Sequence, residues 1–372
     1  MKVAIVHDYL REYGGAERVV EALYEIFPDA PIYTAYVNFE GLGIHAERIK
    51  KWDIRSSWLQ NMPFANKLVS PFRIFAPMIF EGFDLKEYDV VISSSAVYFA
   101  KAVITSPNSL HIAYIHTPPR YLYGYTTSFN YKKNPITRVL GEIANHFLRI
   151  YDYEVSQRPD ILVANSENVK KRIKKFYRRD AVVIYPPVET DRFKNKDLRF
   201  KKENKYFLSV SRLVRGKGVD ITIKACDRLG IPLKVVGAGP ELNHLKSLIV
   251  NRKSDIEFLG QVADDELVKL YTDAKALILA SEDEDFGITP VESMAAGTPV
   301  IAPRTGGYLE TIVEGKTGMF FGGDRGEVTV DSLVEALEKF DSKKYKPQDC
   351  TKQAENFSKE KFKEKMIKLI NS

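Results

Sequence analysis

Glu284 and Glu292 stand with seven residues between them, in the stretch Glu284-Asp285-Phe286-Gly287-Ile288-Thr289-Pro290-Val291-Glu292. Carboxylates accept bidentately from adjacent hydroxyls, so this pair suits diols such as those of a sugar or a ribose. The residues between them read as a loop turning into a helix, because Pro290 fits a first helical turn, where its missing N–H costs nothing. The free N–H groups of that turn favour an anion such as a diphosphate. A kinase reading of Asp285-Phe286-Gly287 fails, since no lysine strand or catalytic loop accompanies it. The acidic run Glu282-Asp283-Glu284-Asp285 has the ligand type for a hard cation. As a solvated acidic loop it needs no metal, and none is expected.

Three further groups have chemistry-bearing types. Arg212 and Lys217 share one loop after a predicted strand. A guanidinium binds a diphosphate bidentately and a nearby ammonium adds a point charge. Two fixed cations there would stabilise a departing diphosphate without a metal. Gly14-Gly15 follows the first strand and would let backbone approach a phosphate closely. His116 follows another strand, in His116-Thr117-Pro118-Pro119-Arg120-Tyr121; a neutral imidazole there would orient a hydroxyl, and Arg120 would meet an acceptor phosphate or carboxylate. The turn Gly237-Ala238-Gly239-Pro240 is half of a dinucleotide fingerprint, without the third glycine, and reads as a tight turn lining a nucleotide pocket.

The elements that must hold these residues alternate strand and helix. Strands are predicted at 2–6, 31–36, 89–93, 110–115, 160–164 and 182–185, with helices from about Ala16 to Ile26 and from Asn165-Ser166-Glu167 to about Tyr177. The grammar restarts at 206–210, followed by strands at 233–237, 256–260, 276–280 and 299–302. This pattern predicts two doubly wound parallel sheets, with ligands beyond the carboxyl ends of the strands. The boundary falls near Pro186-Pro187, giving domains 1–187 and 188–356, and 194–205 reads as a loop. The tail, about 357–372, is basic and amphipathic.

A chain of 372 residues suits two such domains. Its two cysteines, Cys226 and Cys350, lack metal-ligand spacing, which points to a reduced, cytoplasmic setting. No secretory signal and no transmembrane segment is read. The net charge of +6 allows attraction to phosphates or to an anionic membrane face. Basic, aromatic and aliphatic residues mix from Lys50-Lys51-Trp52 through Trp58-Leu59-Gln60 and from Phe64 to Phe80. An interfacial segment, a lid over an acceptor cleft and plain core packing all fit that composition. No nucleic-acid partner is expected.

Taken together, these motifs resemble the retaining glycosyltransferases of GT-B family four, over nearly the whole chain and most strongly from Ser209 to Gly318. The resemblance implies an α/β fold of two Rossmann-like domains, with parallel sheets facing an inter-domain cleft. It implies a nucleotide-diphosphate sugar as donor substrate, with no cofactor required. By the same resemblance, Arg212 and Lys217 hold the diphosphate and Glu284 the donor sugar. Phe286, Gly287, Ile288 and Thr289 offer backbone groups to sugar and phosphate, and Glu292 binds the ribose. Val262 meets the base, Gly15 a phosphate, and His116 the donor sugar. The C-terminal helix is expected to cross back to the first, acceptor-side domain, where Arg120 and Tyr121 serve the acceptor.

The segments Tyr13-Gly14-Gly15-Ala16-Glu17-Arg18 and His116 to Tyr121 resemble more narrowly the bacterial mannosyltransferases of O-antigen and exopolysaccharide assembly, of the WbaZ type. That implies GDP-mannose, a lipid-linked saccharide acceptor and a place at the inner face of the plasma membrane. Asp285 departs from this pattern, standing where the family often has glycine. Transfer with retention through a same-face mechanism is expected. A UDP-glucose or other UDP-sugar donor, a soluble-acceptor synthase, an NAD-dependent oxidoreductase and a non-catalytic sugar-nucleotide module are the competing expectations.

Overall fold

The computed structural model describes residues 1–63, 71–127, 135–194, 206–250, 254–323 and 327–372. The chain divides into two compact units: Met1–Tyr125, Asn130–Pro187 and Phe362–Ser372 form one, and Thr126–Phe129 with Val188–Lys361 the other.

The first unit is built on β1 (Val3–His7), β2 (Ile32–Thr34), β3 (Ile54–Ser56), β4 (Val90–Ser95), β5 (Leu110–Ile115), β6 (Ile161–Ala164) and β7 (Val182–Val183). They pair in the order β3-β2-β1-β4-β5-β6-β7, and every pair is parallel. A parallel sheet needs both faces covered, which is why β1 and β4 are buried at every residue. Alternate side chains go to opposite faces. Ile5, Ile92 and Ile112 pack with Val19, Val20 and Leu23 of the helix Gly15–Ile26, and Ala4, Val6 and Val91 pack with Tyr36, Phe80 and Tyr98. The last helix, Lys359–Ile370, places Phe362, Met366 and Ile370 in the first of those cores, with the Phe362 ring 5.9 Å from Tyr114.

The second unit holds β8 (Tyr206–Val210), β9 (Leu233–Val236), β10 (Ile256–Gly260), β11 (Ala274–Ile278), β12 (Val300–Pro303) and β13 (Gly318–Phe321). Their order is β10-β9-β8-β11-β12-β13, again all parallel. Phe207, Val235, Ile278 and Ile301 pack with Ile223, Cys226, Leu333 and Leu337. Both units are Rossmann-like α/β domains.

Several elements exceed the expectation, among them two strands and a long helix. β3 is a half-exposed edge strand of Ile-Arg-Ser with no apolar run to announce it. β13 pairs with β12 through Gly318, where a side chain would lie 2.1 Å from the Val300 carbonyl. The helix Pro135–Val155 carries exposed apolar residues, Val139, Leu140, Ile143, Phe147 and Ile150, at helical spacing. β11 starts two residues earlier than expected, since Ala274 follows the helix Asp264–Asp273 without a loop. The mixed stretch 50–80 is partly core: Leu59, Ala76, Ile79 and Phe80 are buried while Trp58, Met62, Ile74, Phe75 and Met78 are exposed. Its residues 64–70, and 195–205 of the loop after Lys194, lie outside the described residues. Among the described residues no helix is long and apolar enough to cross a membrane.

Candidate functional site

Open parallel sheets offer ligand sites beyond the carboxyl ends of the strands, where the strand order reverses. In the second unit the reversal lies between β8 and β11. The loop after β8 carries Arg212 and Lys217, and the loop after β11 carries Glu284. The Lys217 ammonium donates to Glu284 Oε2 at 2.8 Å, with both side chains partly exposed. An ammonium has three N–H donors, so this pairing uses one and leaves capacity for an anion. Three residues further, Gly287 at φ +88° ends the loop and the helix Ile288–Ala295 begins. Ile288 and Thr289 are half-buried and Phe286 is buried against Phe357, with ring centroids 5.4 Å apart.

Two glycine turns brace these loops. Gly237, after β9, comes so near the loop after β8 that a Cβ would lie 1.9 Å from the Ser211 carbonyl oxygen. Gly307 N–H donates to the Glu284 carbonyl at 2.9 Å, and a Cβ on Gly307 would lie 2.4 Å from Phe286 Cα. Val262 is half-buried in the loop between β10 and the next helix.

Glu292 is buried inside its helix and has strong protein partners. Arg192 Nη2 donates to Oε1 and the Tyr271 hydroxyl donates to Oε2 at 3.1 Å. Arg192 also reaches Asp264 Oδ1 at 3.4 Å, while its Nε is buried without a hydrogen-bond partner. A carboxylate has about four lone-pair sites. These two bonds orient Glu292.

In the first unit the reversal lies between β1 and β4. Asp8, just past β1, accepts from four backbone amides: Ala96, Val97 and Tyr98 on Oδ2 and Ala100 on Oδ1, at 2.6–2.9 Å. That carboxylate shapes the loop after β4. His7 Nδ1 lies 3.1 Å from Ser94 Oγ, and the same oxygen lies 2.8 Å from His116 Nε2. His7 Nε2 is 3.6 Å from Glu17 Oε1, and Glu17 Oε2 accepts from Gly14 N–H at 2.9 Å, beside Gly15 at the helix start. Burial, then the neighbouring His7, lowers the His116 pKa to about 3, so its imidazole is neutral. Arg120 is half-buried in the turn after β5, and Tyr121 lies under the Arg73 guanidinium, 4.5 Å from the ring centroid.

Within the second unit the expected residues therefore gather around the carboxyl ends of the strands, Lys217 and Glu284 in direct contact. Within the first unit His116 joins a buried hydrogen-bond chain with Ser94 and His7, while Gly15 stands at the helix start next to Gly14, outside that chain. Sequence reasoning missed His7, Asp8, Ser94, Arg192, Tyr271 and Gly307. His7-Asp8 had a signal, polar residues at the end of a buried strand. Arg192 had none, since its partner lies 100 residues on.

Two family models match the chain: glycosyl transferases group 1 over residues 190–357 and glycosyltransferase family 4 over residues 13–192. An uncharacterized glycosyltransferase of Methanocaldococcus jannaschii is 32% identical over 162 residues, 43% of this chain and 44% of that protein. The GDP-mannose-dependent alpha-(1-6)-phosphatidylinositol monomannoside mannosyltransferase of Mycobacterium tuberculosis is 30% identical over 48% of this chain and 52% of its own. The matched region thus spans about half the length of these curated relatives. Among solved structures, Anabaena HepE in complex with UDP and glucose shares the fold over 100% of both chains, with a TM-score of 0.70 at 18% identity.

Proposed function

We propose that this chain, which belongs to the glycosyltransferases built from these two family domains, moves a hexose from a nucleotide-diphosphate sugar to a saccharide acceptor. The observation that carries the reading is the Lys217–Glu284 pair at 2.8 Å, with Glu284 four residues before the helix start at Ile288. A carboxylate for sugar hydroxyls, an ammonium for the diphosphate and free helix N–H groups are three complementary contacts to one ligand. Arg212 adds a second cation from the same loop. Glu292, oriented by Arg192 and Tyr271, takes the ribose hydroxyls, as the family resemblance implies.

The course of the reaction is proposed from the resemblance to the retaining glycosyltransferases of GT-B family four. The bond from the anomeric carbon to the diphosphate oxygen breaks as the acceptor hydroxyl attacks the same face. The acceptor proton goes to the departing phosphate oxygen, so configuration is retained. Negative charge grows on the diphosphate, and Arg212 and Lys217 stabilise it. An inverted anomeric configuration in the product by NMR would sink this mechanism.

GDP-mannose is the proposed donor. Its support is the likeness of Tyr13–Arg18 and His116–Tyr121 to mannosyltransferase segments, together with the mycobacterial relative named for that donor. A UDP-sugar is the competing donor, in view of the HepE complex. A thermal-shift panel of GDP-, UDP- and ADP-sugars decides between them, since a ligand at about 100 times its dissociation constant stabilises by roughly 2.7 kcal/mol. No shift with any of them would refute donor binding.

The acceptor is proposed to be lipid-linked and the enzyme to work at the cytoplasmic membrane face. Exposed Trp58, Ile74, Phe75 and Met78 support this, as does the stripe Leu140, Ile143, Phe147 and Ile150 on the helix Pro135–Val155. Flotation with liposomes that leaves the protein unbound, with and without anionic lipid, would refute docking.

A further inference from the structure

Sheet register makes a hydrogen-bond chain in the first unit that the proposed reaction does not yet use. β1 and β4 pair His7 with Ser94, and β4 and β5 pair Ser94 with Tyr114. His116 lies two residues past Tyr114, one step beyond the strand, so period two returns it to the same face. Its backbone N–H still donates to the Ser95 carbonyl at 3.0 Å, which holds the ladder for that extra step. Three side chains from neighbouring strand ends thus meet, and all are buried: His7 2%, Ser94 0% and His116 9% exposed.

One assignment of donors and acceptors along this chain gives the buried Ser94 hydroxyl hydrogen a partner. The Ser94 carbonyl only accepts, and it lies 3.2 Å from His7 Nδ1, so that nitrogen carries a hydrogen. The same N–H is shared with Ser94 Oγ at 3.1 Å. The Ser94 hydroxyl hydrogen is then directed to His116 Nε2, at 2.8 Å. A neutral imidazole that accepts at Nε2 has its hydrogen on Nδ1. On the far side, Glu17 Oε1 stands 3.6 Å from His7 Nε2, beyond hydrogen-bond reach, and Glu17 is itself held by the Gly14 N–H.

We propose that His7 and Ser94 are positioning residues that lock His116 in the Nδ1–H tautomer, so that His116 meets a saccharide oxygen as a hydrogen-bond donor and not as a base. This rests on the reading that His116 serves a sugar substrate. Because Nε2 is committed to Ser94, His116 has no lone pair to offer a hydroxyl proton. It favours substrates that present an acceptor oxygen at Nδ1.

The test needs the full chain labelled with nitrogen-15 at its six histidines. Long-range proton–nitrogen correlation spectra at neutral pH, without donor or acceptor, should show His116 with a protonated Nδ1 and an unprotonated Nε2. Ser94→Ala removes one oxygen and should release the lock, moving His116 toward the Nε2–H form. It should also lower kcat about fivefold, the scale of one neutral hydrogen bond, with little change in donor KM. Ser94→Thr, which keeps the hydroxyl, should retain the wild-type tautomer. A wild-type His116 protonated at Nε2, or a Ser94→Ala spectrum and kcat like wild type, would overturn the proposal. The wild-type spectrum decides the tautomer even where a variant fails to fold. Absence of transfer from any sugar nucleotide would strike the proposed function instead and leave the spectral result standing.

Discussion

Arg192 and Glu292 are separated by 100 residues of chain, and the guanidinium of one donates to the buried carboxylate of the other. Glu292 is 3% exposed and Arg192 16%. A carboxylate this deep in a helix needs compensation, and a cation and the Tyr271 hydroxyl both meet it. Removing one partner from a buried pair leaves the other uncompensated, at a cost of about 3–5 kcal/mol. Arg192→Ala should therefore lower unfolding stability by about 3 kcal/mol and weaken donor binding. Tyr271→Phe should cost only about 1 kcal/mol, the value of one hydrogen bond. Urea unfolding curves check both, and equal losses would refute this division.

Lys217 should behave in the opposite way. Its pair with Glu284 is partly exposed, 28% and 19%, so it contributes little to stability. If the ammonium stabilises a leaving diphosphate, Lys217→Ala removes a charge that matters most in the transition state. The expected outcome is a loss of about 100-fold or more in kcat, with unfolding stability changed by less than about 1 kcal/mol. Single-turnover rates set beside urea midpoints give both quantities. A variant that loses stability but not rate would show the pair to be structural.

Gly307 should control the Glu284 loop without touching a ligand. A methyl there would lie 2.4 Å from Phe286 Cα, 2.6 Å from the Phe286 carbonyl and 2.7 Å from that of Asp285. None of these is a flexible side-chain end, so backbone must move. Gly307→Ala should displace the loop, cost about 1–3 kcal/mol as overpacking does, and raise the donor Kd. Calorimetric titration with the nucleotide sugar measures the last effect. An unchanged Kd would show that the loop's position is unimportant for binding.

The elements legible in the sequence were those with strong local signals. β1, β4, β5 and β8 are apolar runs bounded by polar residues, and the Ser166 cap announces its helix by accepting from Val169 N–H. Lys217 and Glu284 were legible as candidate groups because each stands in a loop after such a strand. Their contact was not, since only the order β8-β11 brings those loops together. The same holds for His7 and Ser94, 87 residues apart and joined by register alone. β3 was hidden because an edge strand of mixed polarity carries no run. Arg192 was hidden because nothing near it in the chain marks it as the partner of Glu292.

Acid should expose two buried histidines. Burial lowers the pKa of His111 to about 4 and of His116 to about 3, each from an ordinary value of 6.5. Both are neutral in the fold near pH 7, and below pH 6.5 the unfolded chain binds protons that the folded chain refuses. Stability therefore rises with pH in that window and falls as the pH drops from about 6.5 toward about 4. Each histidine contributes roughly 1.4 kcal/mol per pH unit there. His111 is the cleaner probe: it sits inside β5, its Nε2 is 2.9 Å from Ser93 Oγ, and its Nδ1 is buried without a partner. Protonating it would add a second charged N–H in a site with nothing to receive it. His111→Phe should thus show a flatter stability profile than wild type between pH 6.5 and 4.5, by about one proton, whatever the carboxylates common to both proteins contribute. Parallel slopes in urea unfolding at a series of pH values would show that the fold does not hold back protonation of His111.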